Sequence, residues 1–183
     1  MSHRRVSLSQ QNLTPDEIAE HWTIMQFALR QLYQHPPSWL REQFADEPQA
    51  AMLEHRRQQL SEADREVSLT LLASIEAALR VDFLERVYLR KKDPLSRAYR
   101  RMHQVKGARA SLEDDILPLW LALSSVSPML IGELRGAFKY RHWLAHGRYW
   151  VARLGRRYDF DSIYILADAL ISALKTASPK AAS

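Results

Sequence analysis

Apolar side chains in this chain recur at three- and four-residue intervals, and apolar–polar alternation nowhere runs beyond a few positions. That period belongs to helices with one buried face, not to half-buried strands. Ile18, Trp22, Met25, Leu29 and Leu32 follow it, as do Leu69, Leu72, Leu79 and Phe83. Glycine occurs only five times in 183 residues, while Ala, Leu, Arg, Gln and Glu are common, which favours helix throughout. The expected fold class is therefore all-α, a bundle of five to seven helices.

Capping residues and prolines set the expected boundaries. Thr14-Pro15-Asp16-Glu17 combines an N-cap threonine, a first-turn proline and a capping-box glutamate. The helix it starts should stop before Pro36-Pro37. One or two shorter helices are expected from Ser38 to about Gln59, interrupted near Pro48. Ser61-Glu62-Ala63-Asp64 reads as a second capping box, opening a long helix to about Arg90. Asp93-Pro94 begins a short basic helix with Arg97, Arg100 and Arg101, followed by a loop around Gly107. Ser111 caps a helix over about Leu112 to Leu123, and Ser127-Pro128 opens one that ends at Gly147. Arg148 to Tyr158 reads as an irregular basic and aromatic connection, after which Asp159 or Asp161 caps a last helix to about Lys175. Residues 1–12 are expected to be a flexible N-terminus, 13–176 a single domain and 177–183 a disordered tail.

Several classes of function are disfavoured directly. The absence of cysteine excludes disulfides and thiolate metal sites. No stretch approaches 18 apolar residues, and the first residues carry charge without an apolar core, so a cytoplasmic protein with no membrane span is expected. No G-x-x-x-x-G-K or G-x-G-x-x-G loop is present to cradle a nucleotide. Ser124, Ser125 and Ser127 lack the glycine elbow of a serine nucleophile. The net charge of +5 fits phosphate neutralisation, though many proteins that bind no polyanion share it.

One residue breaks the helical pattern. On a wheel of about 100° per residue, Leu130, Leu134, Ala137, Phe138, Leu144 and Ala145 fall in one arc, with Arg141 near its middle. A guanidinium on a buried stripe is costly unless it is paired or used. Arg135, Lys139, His142 and His146 form a basic strip on one flank of that arc. Glu76 is a matching anomaly, a carboxylate in the apolar seam of the long helix. It could meet Arg141 in a register-fixing ion pair, pair with Arg80 at i,i+4, or orient Arg141 or His146.

His142 and His146 share a helix face at a spacing that suits a metal. Trp143 stands where a zinc peptidase has its catalytic glutamate, no acidic cluster offers a third ligand, and Lys139 and Arg141 would repel a cation. No metal or other cofactor is therefore expected. Solvated histidines at a helix C-terminus are the plain reading, since cations are favoured there. The combination of Arg and His beside a basic, aromatic loop also suits phosphodiester cleavage. A histidine can take a proton from a ribose 2′-hydroxyl or give one to the leaving 5′-oxygen. An arginine can hold the phosphate as charge develops on it. A second acid–base group would come from a two-fold dimer.

Arg141, the polar His142 directly after it and His146 at a helix end, in an all-α chain of this size, resemble the HEPN superfamily. Active members carry Arg, four to six residues and then His, with a polar residue after the arginine; this chain has four between. The close match covers about residues 130 to 150. The resemblance implies a HEPN-like bundle that dimerises with its motifs facing one cleft. It also implies a metal-independent endoribonuclease, typically a toxin or phage-defence component, with RNA as substrate and an antitoxin protein as a further partner. Carried over, Arg141 and His146 are the catalytic pair and His142 an auxiliary polar group. Arg135, Lys139 and Arg148 would hold flanking phosphates, with Glu76 behind them. Some family members are inactive, so a non-catalytic helical module binding nucleic acid or a protein stays open. A DNA-binding regulator stays open too, although no reading helix stands out.

Overall fold

The computed structural model describes residues 5–176, which hold seven α-helices and no strand. In chain order they are α1 (Pro15–Gln34), α2 (Ser38–Gln43), α3 (Gln49–Tyr88), α4 (Pro94–Lys106), α5 (Leu117–Leu123), α6 (Pro128–Ala145) and α7 (Phe160–Thr176). The expected tail at 177–183 lies outside the described residues.

The 40-residue α3 organises the fold. At about 1.5 Å per residue it is about 60 Å long. No glycine or proline interrupts its sequence, and α1, α4, α6 and α7 all pack against it. Leu71, Leu72, Ile75, Leu79 and Phe83 are almost fully withdrawn from solvent, each such burial contributing about 1.5–3 kcal/mol. At one end Trp22 of α1 meets Phe160 of α7, ring centroids 5.9 Å apart. Toward the other, Phe83 stands edge-on to Tyr99 of α4 at 5.1 Å.

The second expected capping box does not open a helix: α3 runs unbroken through Ser61–Asp64 from its N-cap at Pro48. Glu62 is drawn to Arg65 and Arg148. The Asp64 carboxylate accepts the Phe160 N–H at 3.2 Å, capping α7 rather than its own helix. Asp159 also serves α7, accepting the Ser162 N–H at 3.0 Å. The box at Thr14 and Glu17 forms in both directions. Asp93 caps α4 through the Ser96 N–H at 2.9 Å.

Residues 5–12 carry no helix and are exposed except for the half-buried Leu8, and the stretch touches the C-terminal end of α3. The Val6 N–H donates to the Tyr88 hydroxyl at 3.0 Å, and the Arg5 guanidinium sits 4.5 Å from the centre of the Tyr88 ring.

Between α4 and α5 the chain makes a 3₁₀ turn at Gly107–Arg109 and a π turn at Leu112–Ile116. Ser111 starts the π turn, its hydroxyl accepting the Asp114 N–H at 3.2 Å and its carbonyl the Ile116 N–H at 3.0 Å. Pro118 follows two residues after the turn, in the first turn of α5. It has no N–H to donate, and its ring presses on the carbonyl four residues back, so a wider turn just before it relieves both problems.

Candidate functional site

Helix α6 delivers the candidate residues. Its N-terminus is capped by Ser127, and Pro128 fits the first turn. Its end is a Schellman motif: the Gly147 N–H bonds the Leu144 carbonyl at 3.3 Å and the Arg148 N–H bonds the Trp143 carbonyl at 3.1 Å. Gly147 takes φ +75°, the left-handed position that favours glycine. His146 is the C-cap, so its side chain stands at the rim of the bundle.

Arg141 and Glu76 meet. An Arg141 terminal nitrogen lies 3.2 Å from Glu76 Oε2, while Glu76 Oε1 accepts the Arg80 Nε–H at 2.9 Å. Both structural partners considered for Glu76 are therefore engaged at once. Arg80 also donates to the Ala110 carbonyl at 3.2 Å, which ties the approach to the π turn onto α3. The Arg141 side chain is 38% exposed, yet its Nε is buried without a hydrogen-bond partner. Arg141 thus shares the buried arc of Ala137 and Phe138 but emerges where the helices part.

There it borders a cleft of about 420 Å³. One wall is the π turn, with Ser111, Glu113 and Asp114; the other is α6, with Phe138, Arg141 and His142; Glu76 completes it. A second cleft of about 370 Å³ lies between α6 and the α6–α7 connection, lined by Lys139, His142, Trp143, Trp150 and Arg153. Glu113, Phe138 and His142 line both, making one continuous groove.

His142 and His146 are exposed, and their ring centroids lie 4.2 Å apart. His142 also approaches the Trp150 ring at 5.8 Å. His146 lines neither cleft, so it reaches the groove only through its neighbour His142. Lys139 lines the second cleft, whereas the exposed Arg135 lies one turn earlier and lines neither. Arg148 is turned elsewhere, bound to Glu62 at 2.7 Å. Glu62 precedes Glu76 by 14 residues on α3, about 21 Å along its axis.

Sequence reasoning missed Glu113, Asp114, Trp150 and Arg153 in the groove. Only the basic, aromatic composition of the connection hinted at the last two. Two of the α4 arginines bind their own approach: Arg97 donates to the Lys92 carbonyl at 2.8 Å and Arg100 to the Lys91 carbonyl at 2.6 Å. A third, polar cleft of about 360 Å³ contains Arg30, Asp64, Tyr140 and Arg157. Burial pushes the Asp64 carboxyl above its ordinary range, against the Phe160 N–H, with Asp159 and Asp161 adding to the rise.

Among the described residues no helix is long and apolar enough to cross a membrane, and no group of three or more His, Asp or Glu is placed to hold a metal ion. Compared with family models, curated proteins and solved structures, the chain matches none.

Proposed function

We propose that this chain is a metal-independent endoribonuclease of HEPN type, acting as a homodimer in a toxin or phage-defence role in the cytoplasm. One observation carries the reading: Arg141 and His142 border one groove, with the His146 ring against His142. Arg141 would hold the scissile phosphate and stabilise the charge of the five-coordinate state. His146, assisted by His142, would take the proton from the 2′-hydroxyl. The 2′-oxygen then attacks the adjacent phosphorus, and the 5′-oxygen departs with a proton from a second histidine. The products are a 2′,3′-cyclic phosphate and a free 5′-hydroxyl.

In-line displacement places the attacking and leaving oxygens on opposite sides of phosphorus. His142 and His146 are too close together, 4.2 Å ring to ring, to flank a phosphate from both sides. A second copy of the chain facing the first supplies the missing group. Lys139 is the cation best placed for a flanking phosphate. Arg135 would reach only a more distant one, and Arg148 would have to leave Glu62 first.

RNA cleavage in EDTA by wild type, Arg141→Ala and His146→Ala tests this. Wild type should cut in EDTA, and each variant should lose about 10²-fold or more. Cleavage abolished by EDTA, or a variant that cuts like wild type, removes the mechanism.

The Glu76–Arg141 contact favours a second reading, a non-catalytic binding module in which Arg141 is a structural tie. Then no preparation cuts RNA, and Arg141→Ala chiefly lowers the melting temperature.

A further inference from the structure

We infer that the part of the groove between α6 and the α6–α7 connection is a seat for one unpaired nucleotide, so that the substrate is single-stranded RNA and not duplex. The inference rests on reading the groove as an RNA site. Trp150 lines this cleft, with the His142 ring at 5.8 Å and Tyr149 edge-on at 4.7 Å. Trp143 fixes the connection by donating its indole N–H to the Trp150 carbonyl at 2.8 Å. The platform is therefore held in place before any ligand arrives. Tyr149 is 85% exposed, a large aromatic surface left in water beside the cleft.

Cations flank the rings: Lys139 stands on α6 and Arg153 on the connection. Aromatic faces bordered by cations suit a stacked base with its phosphate alongside. A paired base cannot offer its face, because its neighbours in the helix cover it. Glu113, on the π-turn wall, repels phosphate, so the part of the nucleotide facing it is a base edge. A carboxylate there accepts from an amino group such as cytosine N4.

The test uses 2′-O-methyl oligonucleotides, whose blocked 2′-oxygen prevents cleavage, with fluorescein anisotropy as readout. A single-stranded C10 should bind at least about 10-fold tighter than a hairpin duplex of equal length. Trp150→Ala should weaken C10 binding about 5- to 150-fold, the effect of losing one stacked base, and Trp150→Phe should restore most of it. Lys139→Ala and Arg153→Ala, both at exposed positions, should each weaken binding and flatten its salt dependence without moving the melting temperature. Glu113→Ala, which removes the accepting oxygens, should erase an advantage of C10 over U10. Duplex bound as tightly as single strand, or affinity unchanged in Trp150→Ala and Lys139→Ala, would overturn the inference. U10 bound as tightly as C10 by wild type would overturn the role of Glu113. Binding of the blocked strand without cutting of unmodified RNA removes the nuclease reading and keeps this one. Cutting of unmodified RNA that Trp150→Ala leaves unchanged does the reverse.

Discussion

Glu76 is the residue on which the site's geometry turns, because its two oxygens serve two arginines from different helices. Glu76→Ala would leave both guanidiniums without their carboxylate, at a cost of about 1–3 kcal/mol. Thermal or urea unfolding should register that loss, and RNA cleavage should fall with it as Arg141 loses its support. Asp64 makes a separate prediction. Burial raises its carboxyl above the ordinary 3.8, so the folded chain holds that proton more tightly than the unfolded one. This contribution to stability is fully present below 3.8 and fades as pH rises through the raised value. Asp64→Asn keeps an oxygen for the Phe160 N–H and removes the charge. It should therefore melt above wild type near neutral pH, and the gap should close as pH falls to 3.8 and below. The Glu76–Arg141 pair was legible in the sequence because each charge interrupts an apolar period. The Arg148–Glu62 pair was not, since its partners lie 86 positions apart and neither breaks a pattern.

At the scale of elements, Gly136 and Gly132 of α6 should respond in opposite directions to the same change. Alanine is favoured over glycine within a helix by about 1 kcal/mol. A Cβ at Gly132 meets nothing, so Gly132→Ala should stabilise by that order. At Gly136 a Cβ overlaps the Tyr158 hydroxyl. Tyr158 is buried and stacked on Tyr140 at 5.2 Å, so Gly136→Ala displaces a ring that seats the α6–α7 connection. A net loss of about 1–3 kcal/mol is expected, read as melting temperatures of the two variants side by side. Helix boundaries were legible where the signal was local, as at Thr14, Asp93, Ser127 and Gly147. The motif at Ser61 misled because its signature is compatible with a helix interior. Only the tertiary approach of α7 decides what Asp64 caps. The π turn was not foreseen: it arises from Pro118 acting on residues before it, and it forms the wall that makes Arg141 part of a groove.

For the whole molecule, the proposed chemistry requires two copies. Sedimentation should give a particle of twice the chain mass, and specific activity should fall on dilution below the dimer's dissociation constant. A monomer of undiminished activity would contradict that requirement. The all-α class and a range of five to seven helices could be read from periodicity and composition, and the described residues hold seven. How the helices assemble could not, because α3 serves every neighbour at once and its period alone does not say which neighbour takes which residue. The α6–α7 connection carries one more consequence. It is fastened near its ends, by Arg148 to Glu62 and by the Tyr158 stack, while Val151 in its middle is 91% exposed and Gly155 turns at φ +74°. A protease should find this span first. Brief trypsin treatment should nick the chain after Arg153 and leave two fragments that co-elute, because α7 stays packed on α3. A bound oligonucleotide lying across Trp150 and Arg153 should slow that nick, turning a digestion time course into a footprint of the groove.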